Sequence, residues 1–119
     1  MSEMQGNLEL VSPPQTRGDA IIAVVRGEVD LHNSPELRAA LLGMLTKTLP
    51  KRLVLNLAQV PYMDSSAVAV LVEVLQRLRR AGGRLMLSAL QPRVKGLLEI
   101  ARLDSIFVLA VSDDEALAK

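Results

Sequence analysis

The stretch VPYMDSSAVAVLVEV, residues 60–74, sets one carboxylate and two hydroxyls, Asp64, Ser65 and Ser66, between an extended apolar run and a helical one. Three kinds of chemistry fit that trio. Asp and Ser are the usual amino-cap residues of helices, and such a cap contributes about 1 kcal/mol. A serine can also act as a nucleophile, but it needs a general base beside it, and the single histidine, His32, lies 33 residues earlier. Nor is DSSAV the G-x-S-x-G elbow of a hydrolase. A serine can, finally, accept a phosphoryl group from another protein's ATP site, so Ser65 reads as a substrate rather than as a catalytic group, and the chain as a non-enzyme. The residues alone leave both the plain cap and the covalent switch standing.

Other candidate sites are sparse. Asp64 and Asp104 as paired acids have no support beyond their type, and a lone carboxylate at a helix start is ordinarily structural. His32 with Glu28 and Asp30 lacks a third ligand at metal-binding spacing and reads as a surface residue. The absence of cysteine excludes disulfides, thiolate metal sites and thiol nucleophiles. Neither G-x-x-x-x-G-K nor G-x-G-x-x-G occurs, so no nucleotide cradle and no cofactor is expected.

A length of 119 residues suits a single domain spanning the whole chain, and a composition of 50% apolar and 23% charged residues argues for a packed core. The formal charge of +1 gives no field that implies nucleic acid or a membrane surface as partner. Arg77, Arg79 and Arg80, with Arg93 and Lys95, lack interleaved aromatics, since the chain has only Tyr62 and Phe107, and they read as solvated helix faces. The start MSEMQGNLEL has no signal-peptide pattern, and no apolar run approaches the roughly 20 residues that span a bilayer. No membrane insertion and a cytoplasmic location are expected.

The elements that must position the serines alternate in type. Leu8–Ser12 and Asp19–Arg26 are expected strands joined across the turn PPQTRG, and AIIAVV (20–25) has the continuous branched character of a strand buried on both faces. A helix follows NSPEL, capped by Asn33 or Ser34, with Leu37, Leu41, Met44 and Leu45 as its buried stripe. Leu53–Leu57 is a core strand, and Asp64 or Ser65 caps the next helix, which ends at AGG with Gly82 or Gly83 left-handed. The run AVAVLV after the serines is apolar all round, so it either lies under other elements or offers a patch to a partner. Arg84–Ser88 is a strand, Pro92 opens a helix with stripe Val94, Leu97, Leu98 and Ala101, and Ser105–Ala110 is the last strand. Ser112 and Glu115 form a reciprocal capping box for a terminal helix. The expected fold class is α/β, a mixed sheet with about four packed helices, antiparallel only at the amino terminus.

GEVDLHNSPEL, LVLNLAQVPYMDSSAVAVLVEVLQRLRRAGGRLML and LQPRVKGLLEIARLDSIF together resemble the STAS domain of bacterial anti-sigma factor antagonists over about residues 8–117. The resemblance implies an α/β domain whose Ser65 is the phosphorylated residue, with Asp64 before it and Ser66 after it. It implies a partner of histidine-kinase-like ATPase fold, an anti-sigma factor and serine kinase that the unphosphorylated antagonist captures so that the sigma factor is released. A PP2C-type, metal-dependent serine phosphatase resets such antagonists. By the same resemblance Asp64, Ser66, Glu28, Asp30, Ala67 and Val68 form the partner-binding surface. Ala67 and Ala69 stand where the family motif has glycines, and their methyl groups stiffen the helix start. The alternative within the family is an unphosphorylated interaction or scaffold domain, serving a transporter or a larger signalling assembly.

Overall fold

The computed structural model describes residues 9–119. Five strands run β1 (Gln15–Arg17), β2 (Ala20–Arg26), β3 (Arg52–Gln59), β4 (Arg84–Ser88) and β5 (Val108–Ala110), and pair in that order in one sheet. Only β1 is antiparallel to its neighbour; β2 to β5 are parallel. Among the described residues four helices follow the last four strands: α1 (Ser34–Lys47), α2 (Ser65–Arg80), α3 (Pro92–Ile100) and α4 (Asp113–Ala118). The expected mixed α/β sheet is therefore the one observed.

Alternation along the central strands divides the core in two. Ile21, Ala23, Val25, Leu53, Leu55, Leu57, Leu85 and Leu87 face the larger layer, where they meet Leu37 and Leu41 of α1, Leu71, Val74 and Leu78 of α2 and Leu98 of α3. Ile22, Val54, Met86 and Ala110 face the other side, covered by Ala116 of α4. Being wanted on both faces is why AIIAVV shows no alternation in sequence. A partly buried polar joint anchors α4: Asp113 Oδ1 accepts from the Ser88 hydroxyl at 2.6 Å and from Asn56 Nδ2 at 3.0 Å. Ser88 is fully buried, so this pairing removes the cost of an unsatisfied hydroxyl.

Several boundaries differ from expectation. The strand expected at Leu8–Ser12 begins outside the described residues; within them it is a single antiparallel bridge, Val11 to Val25, while PPQTRG, expected as a turn, carries β1. Pro13 and Pro14 have no N–H to give the ladder, so pairing lapses there and resumes at Gln15. Across the gap the Ser12 hydroxyl accepts the Val24 N–H at 2.9 Å. The last strand is three residues long, because residues 104–107 form turns that bury Phe107. Ala101 is exposed at the carboxyl cap of α3 rather than part of its stripe. Neither Asn33 nor Ser34 caps α1 through its side chain. Glu115 completes its box one residue early, on the Val111 N–H at 2.9 Å, while Ser112 Oγ accepts from the Glu115 N–H at 3.1 Å.

Candidate functional site at the start of the second helix

Four parallel strands deliver their carboxyl ends, and the loops after them, to one edge of the sheet. At that edge the loops after β2 and β3 are zipped together. The Gly27 N–H reaches the Gln59 carbonyl at 2.8 Å, the Val29 N–H the Tyr62 carbonyl at 3.0 Å, and the Asp64 N–H the Val29 carbonyl at 3.1 Å. Gly27 turns between these contacts at φ +86°, a conformation that costs glycine little and a side chain much.

Asp64 is the hub. Its Oδ1 accepts from the Ser66 N–H at 2.9 Å, from the Ala67 N–H at 3.3 Å and from the Ser66 hydroxyl at 2.6 Å, which caps α2. Oδ2 accepts from the Leu31 N–H at 3.1 Å, which ties the preceding loop to the same carboxylate. The Ser66 hydroxyl above all holds the Asp64 carboxyl below the usual carboxylate range; desolvation opposes it, and the Ala67, Ser66 and Leu31 amides add to the lowering. Of the two capping residues left open by the sequence, Asp64 does the capping.

The serines consequently differ. Ser66 is half-buried and spends its hydroxyl on Asp64. Ser65, the first residue of α2, is exposed, and its hydroxyl makes no hydrogen bond among the described residues. Ala67 and Val68, expected on the partner surface, are instead 0% and 7% exposed. They lie on the face of α2 that continues through Leu71, Val74 and Leu78 into the core, so they support the serine turn from beneath. The apolar run after the serines thus lies under other elements, and Ala69 alone of its first three residues is exposed.

Glu28 is exposed and Asp30 half-buried, on the loop held beside Asp64. Asn33 shapes that loop: its Oδ1 accepts from the Asp30 N–H at 2.8 Å and its Nδ2 donates to the Glu28 carbonyl at 2.9 Å. Asp30 Oδ1 accepts from the His32 N–H at 2.9 Å. Tyr62, in the loop that leads to Ser65, carries the Arg93 guanidinium 5.3 Å from its ring centroid, within cation–π range. Sequence reasoning passed over Leu31 and Tyr62, which stand exposed here; a large apolar residue between Asp30 and His32 in a polar loop was the available signal. Among the described residues no three His, Asp or Glu side chains are grouped to hold a metal, and no helix is long and apolar enough to cross a membrane.

The fold and this serine turn define a known class. A family model for the STAS domain matches residues 12–118, and the chain belongs to the STAS domain family. Among its relatives BtrV of Bordetella bronchiseptica is 35% identical over 98 residues, 82% of this chain and 84% of that protein. The anti-sigma-B factor antagonist of Bacillus subtilis is 29% identical over 90 residues, 76% of this chain and 81% of its own length. In structure the chain is similar to an anti-sigma factor antagonist from Mycobacterium paratuberculosis, with a TM-score of 0.80, 23% identity and coverage of 91% and 92% of the two chains.

Proposed function

We propose that this chain acts as an anti-sigma factor antagonist, a single STAS domain over residues 1–119 that works in the cytoplasm. In its unphosphorylated form it binds an anti-sigma factor of histidine-kinase-like ATPase fold and so frees the sigma factor. That ATPase ends its own capture by transferring the γ-phosphoryl group of ATP to Ser65 Oγ; the hydroxyl loses its proton and ADP leaves. A PP2C-type serine phosphatase hydrolyses the ester and restores the binding form. The observation that carries this reading is the division of labour between the hydroxyls: Ser66 is engaged with Asp64, while Ser65 is exposed and unengaged at the first position of α2.

A phosphate on Ser65 brings about 1.5 to 2 negative charges to a helix amino terminus, where the helix dipole favours anions although Asp64 already holds the Ser66 and Ala67 N–H groups. The fold tolerates it, and its effect falls on the partner. With Asp64 adjacent and Glu28 and Asp30 on the neighbouring loop, the phosphorylated edge becomes strongly negative, and an interface built on a neutral serine weakens through repulsion and desolvation.

Titrations of the cognate ATPase with three forms of the protein test this. Ser65→Ala keeps binding but resists ATP-dependent release, because the acceptor is gone with little change in volume. Ser65→Asp binds more weakly than wild type, since a carboxylate supplies part of the phosphate charge at the same place. Because Asp64 already caps α2, both variants should melt within a few degrees of wild type. If both bind as wild type does, and wild-type protein takes up no phosphate, the unphosphorylated scaffold reading takes over.

A further inference from the structure

Among the described residues five large apolar side chains stand exposed, and two of them, Leu31 at 72% and Tyr62 at 37%, lie on the two loops zipped together around Ser65. An isolated exposed leucine needs no explanation, but this one is held in place. Its N–H is bound to Asp64 Oδ2 at 3.1 Å, the carboxylate whose other oxygen caps the helix that begins with Ser65. On its amino side Asp30 N–H and Glu28 carbonyl are both clamped by Asn33. The leucine therefore has a backbone position fixed relative to the serine by one side chain, with its own side chain in solvent. With its backbone ordered before binding, docking costs only the freedom of the side chain itself, and a single side chain can dominate an interface.

We propose that Leu31 is the apolar anchor by which this chain docks on its ATPase partner, an inference that rests on the antagonist reading above. Charge around it defines the socket. Glu28 and Asp30 precede Leu31 on the same loop, His32 follows it with its ring 3.7 Å from the Asp30 carboxylate, and Arg93 stacks on Tyr62 in the neighbouring loop. The partner surface that fits is an apolar pocket with cationic side chains on the Leu31 side and an acidic or carbonyl-rich rim toward Arg93. Such a divided rim fixes the orientation of docking, and with it the approach of Ser65 to the bound ATP. Leu31 touches no reacting atom, so it is a docking residue and its contribution is the same in the ground state and the transition state of phosphoryl transfer.

The test uses the full chain and its cognate ATPase. Leu31→Ala is expected to weaken binding at least tenfold and to raise KM for the protein substrate by a similar factor, with kcat within twofold of wild type. Leu31→Asp should bind more weakly still, whereas Leu49→Asp, at an equally polar exchange on a residue 58% exposed outside these loops, should leave both unchanged. Circular dichroism melts check that each variant is folded, and Leu31→Ala alone decides if Leu31→Asp is not. Wild-type binding and KM in Leu31→Ala would overturn the anchor while leaving the Ser65 reading intact. A wild-type chain that neither binds nor is phosphorylated overturns both. Loss of self-association in Leu31→Ala with unchanged ATPase binding would assign the side chain to a contact between copies of this chain instead.

Discussion

One carboxylate, Asp64, gathers three donors from the first turn of α2 and one from the loop after β2, and its chemistry makes acid sensitivity local. Its pKa is lower in the folded protein than in the unfolded chain, so its contribution is fully present above the unfolded value and fades as pH falls through the folded one. Asp64→Asn keeps an oxygen that can cap but carries no charge. Thermal melts from about pH 7 down to about pH 3 should show wild type more stable at neutrality and the gap closing in acid. Ser66→Ala removes the hydroxyl that lowers this pKa most, and the Asp64 carboxyl should titrate at higher pH in the variant, read by side-chain carbon shifts in NMR. The types Asp, Ser and Ser made this turn legible in sequence. Which of Asp64 and Ser65 caps was not, because both are good caps and the choice depends on Leu31 N–H arriving from a loop 33 residues away. The burial of Ala67 and Val68 was not legible from the motif, because a motif numbers residues along the chain, whereas exposure follows the 3.6-residue turn of α2.

At the scale of elements, the helices and central strands were read from apolar pattern, and the edges were not. AIIAVV and LVLNL could be recognised because two covered faces demand continuous apolar residues. The hairpin at β1 depends on Pro13 and Pro14 lacking N–H groups, on Ser12 standing in as an acceptor for Val24 and on Gly18 turning at φ +62°, none of which leaves a periodic signal. Ser12→Ala should therefore raise hydrogen exchange at the Val24 amide while leaving Leu55 protected. The α2–β4 junction divides its two glycines by role. Gly82 takes the left-handed turn at φ +80°, whereas a Cβ on Gly83 would meet the Pro50 carbonyl oxygen at 3.0 Å and Leu78 Cδ2 at 3.1 Å. Gly83→Ala should cost about 1–3 kcal/mol in urea titration, as overpacked sites do. Across α1 and α2, Arg38 holds Glu73 through two bonds of 2.7 and 2.8 Å, a tie between helices that periodicity alone does not show.

The molecule as a whole separates a packed scaffold from a loop-lined edge that presents Ser65. Parallel strands carry the loops after β2 and β3 to one side, and the layer of α1, α2 and α3 beneath them holds Ser65 in place without using its hydroxyl. Phosphorylation there should leave the melting temperature close to that of the unmodified protein while abolishing tight binding to the ATPase, a combination that separates a surface switch from partial unfolding. The overall α/β order was legible in sequence because strand and helix patterns alternate; the proposed role of Ser65 comes from family resemblance, since no local rule separates an ordinary serine at a helix start from a phosphoacceptor. The most direct test of the account is phosphopeptide mapping by mass spectrometry after incubation with the cognate ATPase and ATP. The account predicts one phosphate, on Ser65, and none on the Ser65→Ala protein. Phosphate on Ser66 alone, or an unmodified wild-type chain in complex with an active ATPase, would contradict it.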